Sequence, residues 1–478
     1  MIRKHTHDGD HHRAEPLKAS KIDGTFGNEG VLLAQGDRAW AANASPPAVG
    51  PDGSLYIGYW AARRQADAPV RWAIFKSKPG GTPDTAFGPS GNGFGFGPAT
   101  DPREPTRICV LPEGRILIAL HLKPEGEDIN LASLSTMSPD GAFDTAFGER
   151  GILVPKLGDG FAPIHGIDLF MRAADTIYVS GRAQNALQET RGFAIRLVRP
   201  DPDTPFQQDS SFNRDLGYML MPFHVGDRPY VGERMFGRPI DDGRFLLAGS
   251  TQSRAEVRRY VAGDDGEMAL DTTFGTDGTY VVPNDANPSD AADLLVGFVE
   301  TNSGYVLAGR RNANLGFVVG ITKDGRPDTT FARGGIATTP PWVGGCFYMD
   351  AAIDRAGSVV VTGERTESNK RAGFLAARYL VDGQLDHGFG DRGFAWDPLE
   401  YVIRSAGVAV QEGSHVVMAG LTGSADNYDL KVIFGRFRFP RAGFTEQPTP
   451  NEREPVDRWS PCAWLRTLWA RWRRAKTG

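Results

Sequence analysis

A four-residue phrase recurs seven times along this chain of 478 residues, and no other feature limits its possible folds so much. The copies are Asp23-Gly-Thr-Phe26, Asp84-Thr-Ala-Phe87, Asp144-Thr-Ala-Phe147, Asp209-Ser-Ser-Phe212, Asp271-Thr-Thr-Phe274, Asp328-Thr-Thr-Phe331 and Asp386-His-Gly-Phe389. Successive phenylalanines lie 61, 60, 65, 62, 57 and 58 residues apart. In six copies a Gly follows the Phe by four residues (Gly30, Gly91, Gly151, Gly278, Gly335 and Gly393), whereas in the fourth Gly217 follows by five. A fixed period of this length marks a repeat architecture. Each Asp precedes small residues and is suited to accept backbone N–H groups in a turn. The downstream Gly permits positive φ, and the Phe enters the core as an apolar wedge. Seven Asp acting as metal ligands is the weaker reading, because calcium loops use several oxygen ligands within a few residues and each phrase has one acid. Neither a metal nor another cofactor is expected.

Every unit also holds four strand-like runs. In the sixth, Gly-Ile336-Ala-Thr-Thr is followed by Cys346-Phe-Tyr-Met-Asp-Ala-Ala-Ile353, the turn Asp354-Arg-Ala-Gly357, Ser358-Val-Val-Val-Thr-Gly363, and Gly373-Phe-Leu-Ala-Ala-Arg-Tyr-Leu380. Asp382-Gly383 then leads into the next phrase. Short β-branched and aromatic runs between Asp-Gly turns are hairpin signals, and 59 Gly with 33 Pro supply turns in number. No segment within the repeats keeps a helical period over three turns. The expected fold is all-β: a seven-bladed β-propeller of four-stranded antiparallel blades over residues 21–440. A linear solenoid would need polar capping repeats, and none is present. The first phrase opens the repeat region in mid-unit, and the last unit ends on Leu430-Lys-Val-Ile-Phe-Gly-Arg-Phe-Arg-Phe439 with no phrase after it. The count balances only in a closed ring whose N- and C-terminal segments pair in one blade, which also removes exposed sheet edges.

The phrases Leu385-Asp386-His387-Gly388-Phe389-Gly390-Asp391-Arg392-Gly393 and Leu270-Asp271-Thr272-Thr273-Phe274-Gly275 before Gly278, each preceded by a strand and a turn, resemble the bacterial delta-60 repeat. The resemblance runs from residue 22 to about 439. It implies a propeller-like domain, often in exported or surface proteins, and brings no catalytic residues with it. Asn213 and Ala332 stand where the motif has Gly.

The flanks differ from this body. Residues 1–20 form a polar arm in which His5, His7, Asp8, Asp10, His11 and His12 are read as disordered rather than chelating, for want of an ordered frame. Residues 441–457, with Pro448, Pro450 and Pro455, read as a solvated linker. Ser460-Pro461 then starts a short helix over 458–478, with Trp464, Leu465, Leu468, Trp469 and Trp472 on one arc and Arg466, Arg473 and Arg474 opposite. This basic amphipathic segment suits a partner groove, an anionic membrane surface, or the body itself. The formal charge is -5, and the tail's five Arg and one Lys leave about -11 on the rest. No nucleic-acid partner is expected, and the propeller is expected to be monomeric.

No apolar run opens the sequence and none is long enough to span a membrane as a helix. A cytoplasmic protein, or one exported without a cleavable signal peptide, is expected. Cys109, Cys346 and Cys462 are too far apart for a zinc or disulfide framework. H-E-x-x-H, G-x-S-x-G and Walker motifs are missing, and His121, His165, His224, His387 and His415 are scattered. On these grounds the chain is read as no enzyme, with a sugar-processing or lactone-type propeller enzyme held open. Strand alternation sends the stereotyped turns and phrases to one end of each blade and the variable connections to the other. Recognition is expected at the variable end, through Trp60, Phe223, His224, Tyr230, Trp342 and Tyr401. The expected function is a non-catalytic scaffold binding a protein partner there, with the tail as a second contact; the alternative is a glycan-binding or glycan-processing propeller.

Overall fold

Side chains alternate along a β-strand, so a strand apolar on both faces must be covered on both. The strand Thr176–Gln184 meets that condition: Ile177 and Val179 pack toward the sheet before it and Tyr178 toward the sheet after it. The computed structural model describes residues 22–439 apart from a set of connecting stretches, the longest being 222–233, 284–292 and 123–130. Among the described residues the strands form seven antiparallel sheets, each packed on the next, and the seventh on the first. The apolar core divides into seven clusters, one at each junction between neighbouring blades. All seven phrase phenylalanines are buried there.

Blade six illustrates the plan, with Gly345–Ile353, Val359–Glu367, Lys370–Tyr379 and Phe394–Asp397 pairing in sequence order. In blade two the fourth strand shrinks to one bridge, Leu134 to Leu153. The ring closes in blade seven. Val402–Gln411, His415–Ser424 and Asp429–Arg438 are completed by Val31–Ala34, in which Val31 faces Gly435 and Ala34 faces Val432. The unit drawn from the sequence is offset by one strand from these sheets. The run after each phrase, such as Ile336–Thr338, is the fourth strand of the blade already begun, not the first of the next. Each phrase therefore joins third and fourth strands within one blade.

The phrase also fastens that blade to the next. Its Asp accepts the backbone N–H two residues on in all seven copies. A cation from the same blade meets the carboxylate in most of them, as Lys76 does Asp84 and Arg259 does Asp271, while the Arg259 guanidinium also lies over the Phe274 ring. The N–H after the Phe donates to the hairpin turn of the following blade: Gly27 to Gly80, Gly88 to Asp140, Gly275 to Asp324. Among the described residues the one α-helical turn, Phe212–Asp215, falls in the fourth phrase, where Asn213 replaces Gly and the following Gly is one residue late.

Candidate axial site

The first strand of each blade is the innermost, as contacts between distant blades show. Arg107 lies in Glu104–Val110 of blade two and Asp350 in Gly345–Ile353 of blade six, and their side chains meet at 3.3 Å. Five inner strands share an irregularity at the same place. A register shift falls just before Arg107, Asp168, Gly297, Asp350 and Gly407, which stand opposite Ala119, Ser180, Ala308, Thr362 and Ala419. A bulge re-aims the side chain that follows it. Here it sends one residue per blade to the axis, and in three blades that residue is charged.

Two carboxylates and three guanidiniums from four blades converge there. The Asp350 carboxylate accepts from Arg107 Nη1 and Nη2 at 3.3 and 3.4 Å, from Arg234 Nη1 at 2.9 Å and from the Val408 backbone N–H at 3.2 Å. A Cβ at Gly407 would lie 2.5 Å from that carboxylate, so glycine there makes its room. Asp168 takes Arg107 Nε at 3.5 Å on one oxygen and Arg238 Nη1 at 2.5 Å on the other. Arg238 donates further to the carbonyls of Gly237 and Phe298 and sits over the Phe170 and Phe298 rings. Asp168 and Asp350 are buried, whereas the Arg107 and Arg234 side chains keep 18% and 22% exposure. Burial works against the charge on Arg107, but Asp350 and Asp168 raise its pKa overall. Arg234 goes the other way: burial, and then repulsion from Arg107, push its pKa down despite Asp350.

Toward the variable end, Glu104 faces His121 across the register, and Asp293 pairs with both Arg311 Nε and Nη2 at 2.8 and 3.0 Å. Burial pushes the His121 ring below its ordinary pKa, with Glu104 opposing. A separate depression of about 300 Å³ opens between the inner turns of blades one, six and seven, lined by Val49, Pro51, Ile353, Arg355, Val410 and Glu412. Burial raises the thiol pKa of Cys109 to about 12 and of Cys346 to about 11, so both are neutral at physiological pH. Among the described residues no group of three His, Cys, Asp or Glu gathers as metal ligands would.

Of the contact residues expected at the variable end, Trp60 lies half-buried on Leu55–Arg63 opposite Trp72. Phe223, His224, Tyr230, Trp342 and Tyr401 lie outside the described residues, as do the whole 458–478 segment and the N-terminal His cluster. Among the described residues the histidines are spread over separate elements. His121 and His165 lie on blades two and three, His387 is in a phrase, and His415 Nε2 is 3.5 Å from Asp23. The axial set escaped the sequence reading, although a signal was there. Asp350 interrupts the apolar run Cys346–Ile353, and Asp168 interrupts Ile167-Asp-Leu-Phe170, each where other blades have Gly.

No family model matches the chain, and no curated protein matches its sequence. Solved structures are similar to the chain at low identity. A protein of unknown function from Dyadobacter fermentans is 11% identical, with 86% of this chain and 99% of that one covered and a TM-score of 0.42. An α-L-arabinofuranosidase from Fusarium graminearum in complex with an iminosugar inhibitor is 9% identical, covers 86% and 97%, and has a TM-score of 0.39. The PQQ-bound form of an aldose sugar dehydrogenase from Streptomyces coelicolor is 15% identical, covers 70% and 94%, and scores 0.36. One expectation is corrected. The chain was read as no enzyme because linear catalytic motifs are missing, whereas solved proteins similar in fold include enzymes. That inference fails physically, since a wheel assembles a site from side chains of separate blades, as the axial cluster illustrates. The fold is that of a seven-bladed β-propeller.

Proposed function

We propose that this chain is a glycan-directed propeller, binding or processing a saccharide at its axis and receiving it from the variable end. What supports this reading is the convergence of Asp168 and Asp350 on one guanidinium, Arg107. Carboxylates and guanidiniums are planar two-point groups, matched to the adjacent hydroxyls of a sugar ring. Two carboxylates are also the minimum set for acid–base glycosyl chemistry. Rigid inner strands hold these side chains, as a binding constellation requires. We also assign the repeat to the delta-60 kind, on the seven phrases and their shared turn geometry.

The test is a panel of soluble polysaccharides screened with the whole protein for binding and for release of reducing ends. Wild type is expected to retain at least one of them, and Asp350→Asn to weaken that binding by about tenfold, the worth of one charge-assisted hydrogen bond. Circular dichroism of the variant separates lost folding from lost binding. If no saccharide binds, or if Asp350→Asn and Asp168→Asn bind as wild type does, the reading is wrong.

A further inference from the structure

The axial cluster holds more positive than negative charge, and the surplus has a definite place. Among the described residues, its connected ion pairs join Arg107, Arg234 and Arg238 to only Asp168 and Asp350. Arg238 is fully engaged by Asp168, by two carbonyls and by two aromatic rings. Arg107 is stretched between both carboxylates, with no contact under 3.3 Å. Arg234 shares with Arg107 the single oxygen Oδ1 of Asp350, and its other contact, to the Val296 carbonyl, is 3.5 Å long.

Two cations therefore face one carboxylate in a largely desolvated place, where like charges repel more strongly than in water. Burial first, and repulsion from Arg107 after it, depress the pKa of Arg234. The surplus lies toward one end of the axis. Inner strands run from the variable connections to the tight inner turns, and Arg234 stands two residues before the strand Phe236–Pro239, at the variable end.

We infer that Arg107 and Arg234 form an oxyanion seat, and that the ligand carries a fixed negative group which docks between them beside Asp350. Resting on the glycan reading, this makes the ligand a uronate-bearing or sulfated saccharide rather than a neutral one. A guanidinium fork binds a carboxylate or a sulfate oxygen pair with charge-assisted hydrogen bonds, and the incoming anion balances the third arginine. Asp350 then orients both forks instead of neutralising them alone.

The experiment is isothermal titration of the full chain at low salt with three probes: trigalacturonate, its neutral counterpart galactotriose, and sodium sulfate. Trigalacturonate is expected to bind at least about tenfold more tightly than the neutral trisaccharide. Arg234→Gln should remove that preference, the charged sugar losing at least about tenfold more affinity than the neutral one, with circular dichroism checking that the fold is kept, and Arg234→Lys should restore part of it. Equal affinity for charged and neutral sugars, or a preference unchanged in Arg234→Gln, overturns the oxyanion seat while leaving a glycan site standing. Arg234-dependent binding of sulfate with no saccharide bound leaves the seat standing and removes the glycan reading. Silence from all three probes removes both.

Discussion

At Gly325 there is no space for a methyl group. The residue closes the hairpin turn of blade five at φ +79°, and a Cβ built there would lie 2.7 Å from three atoms of the Phe274 ring, which arrives from the phrase of blade four. Gly81, Gly141 and Gly383 meet Phe26, Phe87 and Phe331 in the same way. The Asp-Gly turn and the Asp-x-x-Phe phrase, two separate signals in the sequence, are thus halves of one contact between neighbouring blades. Gly325→Ala should lower stability by about 2 kcal/mol through strain and displaced packing, read as a lower urea midpoint. The reverse case is Ala332, a non-glycine at φ +50° where five other copies have Gly. Ala332→Gly should raise the midpoint, by up to about 1 kcal/mol, because the left-handed region costs alanine and not glycine. A fall in that variant, or no change in Gly325→Ala, would show that backbone conformation at the staple does not limit stability.

The phrase as an element is held by charge as well as shape. In Asp23, Asp84, Asp209 and Asp271 burial opposes ionisation, yet hydrogen bonds and cations outweigh it and hold each carboxyl below its ordinary pKa. For Asp271 the hydrogen bonds come from the Thr273 side chain and backbone, and then from Arg259. A folded-state pKa below the unfolded value means that the unfolded chain binds protons first. The stabilisation is therefore complete above about pH 4 and is lost as pH falls further. The urea midpoint should drop steeply below about pH 4; Asp271→Asn should start lower and fall less there. Parallel acid profiles for the two proteins would refute this account. Most of this element was legible in sequence, since turn chemistry is local: an Asp, small residues, a Phe and a Gly at fixed offsets. The partners were not. Nothing in the spacing tells that Arg259 returns to Asp271, because cross-strand pairing depends on register. The sheet boundary was misplaced by one strand for a related reason. All four runs are comparably apolar, so only pairing shows that Ile336–Thr338 closes a blade rather than opening one. The axial arginines and aspartates were harder still, being brought together by curvature across separate blades, as Arg234 and Asp350 are.

At the scale of the whole molecule, cohesion is circular. No single core exists; seven junctions each bury a comparable apolar layer, and the wheel holds because the last layer is present. That layer depends on a short segment from the start of the chain. Phe26, Leu32 and Ala34 are buried against Val417, Phe434 and the strands of blade one, and Asp23 meets Arg436 Nη2 at 2.7 Å. The four residues Val31–Ala34, with an isolated bridge from Ile22 to Phe437, pair with the third strand of blade seven, yet without them that strand has a free edge and blade one loses one wall. Removing residues 1–34 should therefore cost far more than four strand residues suggest. Exposing the sites of two large apolar side chains and unpairing Arg436 amounts to about 5 kcal/mol or more, and the open edge invites association between molecules. The truncated protein is expected to elute as oligomers and to unfold at a clearly lower urea concentration, with a peptide spanning residues 20–36 recovering part of the loss when added in excess. A truncated monomer with the midpoint of the full chain would mean that the wheel is held by its blades individually, and that joining the two ends of the chain adds nothing to it.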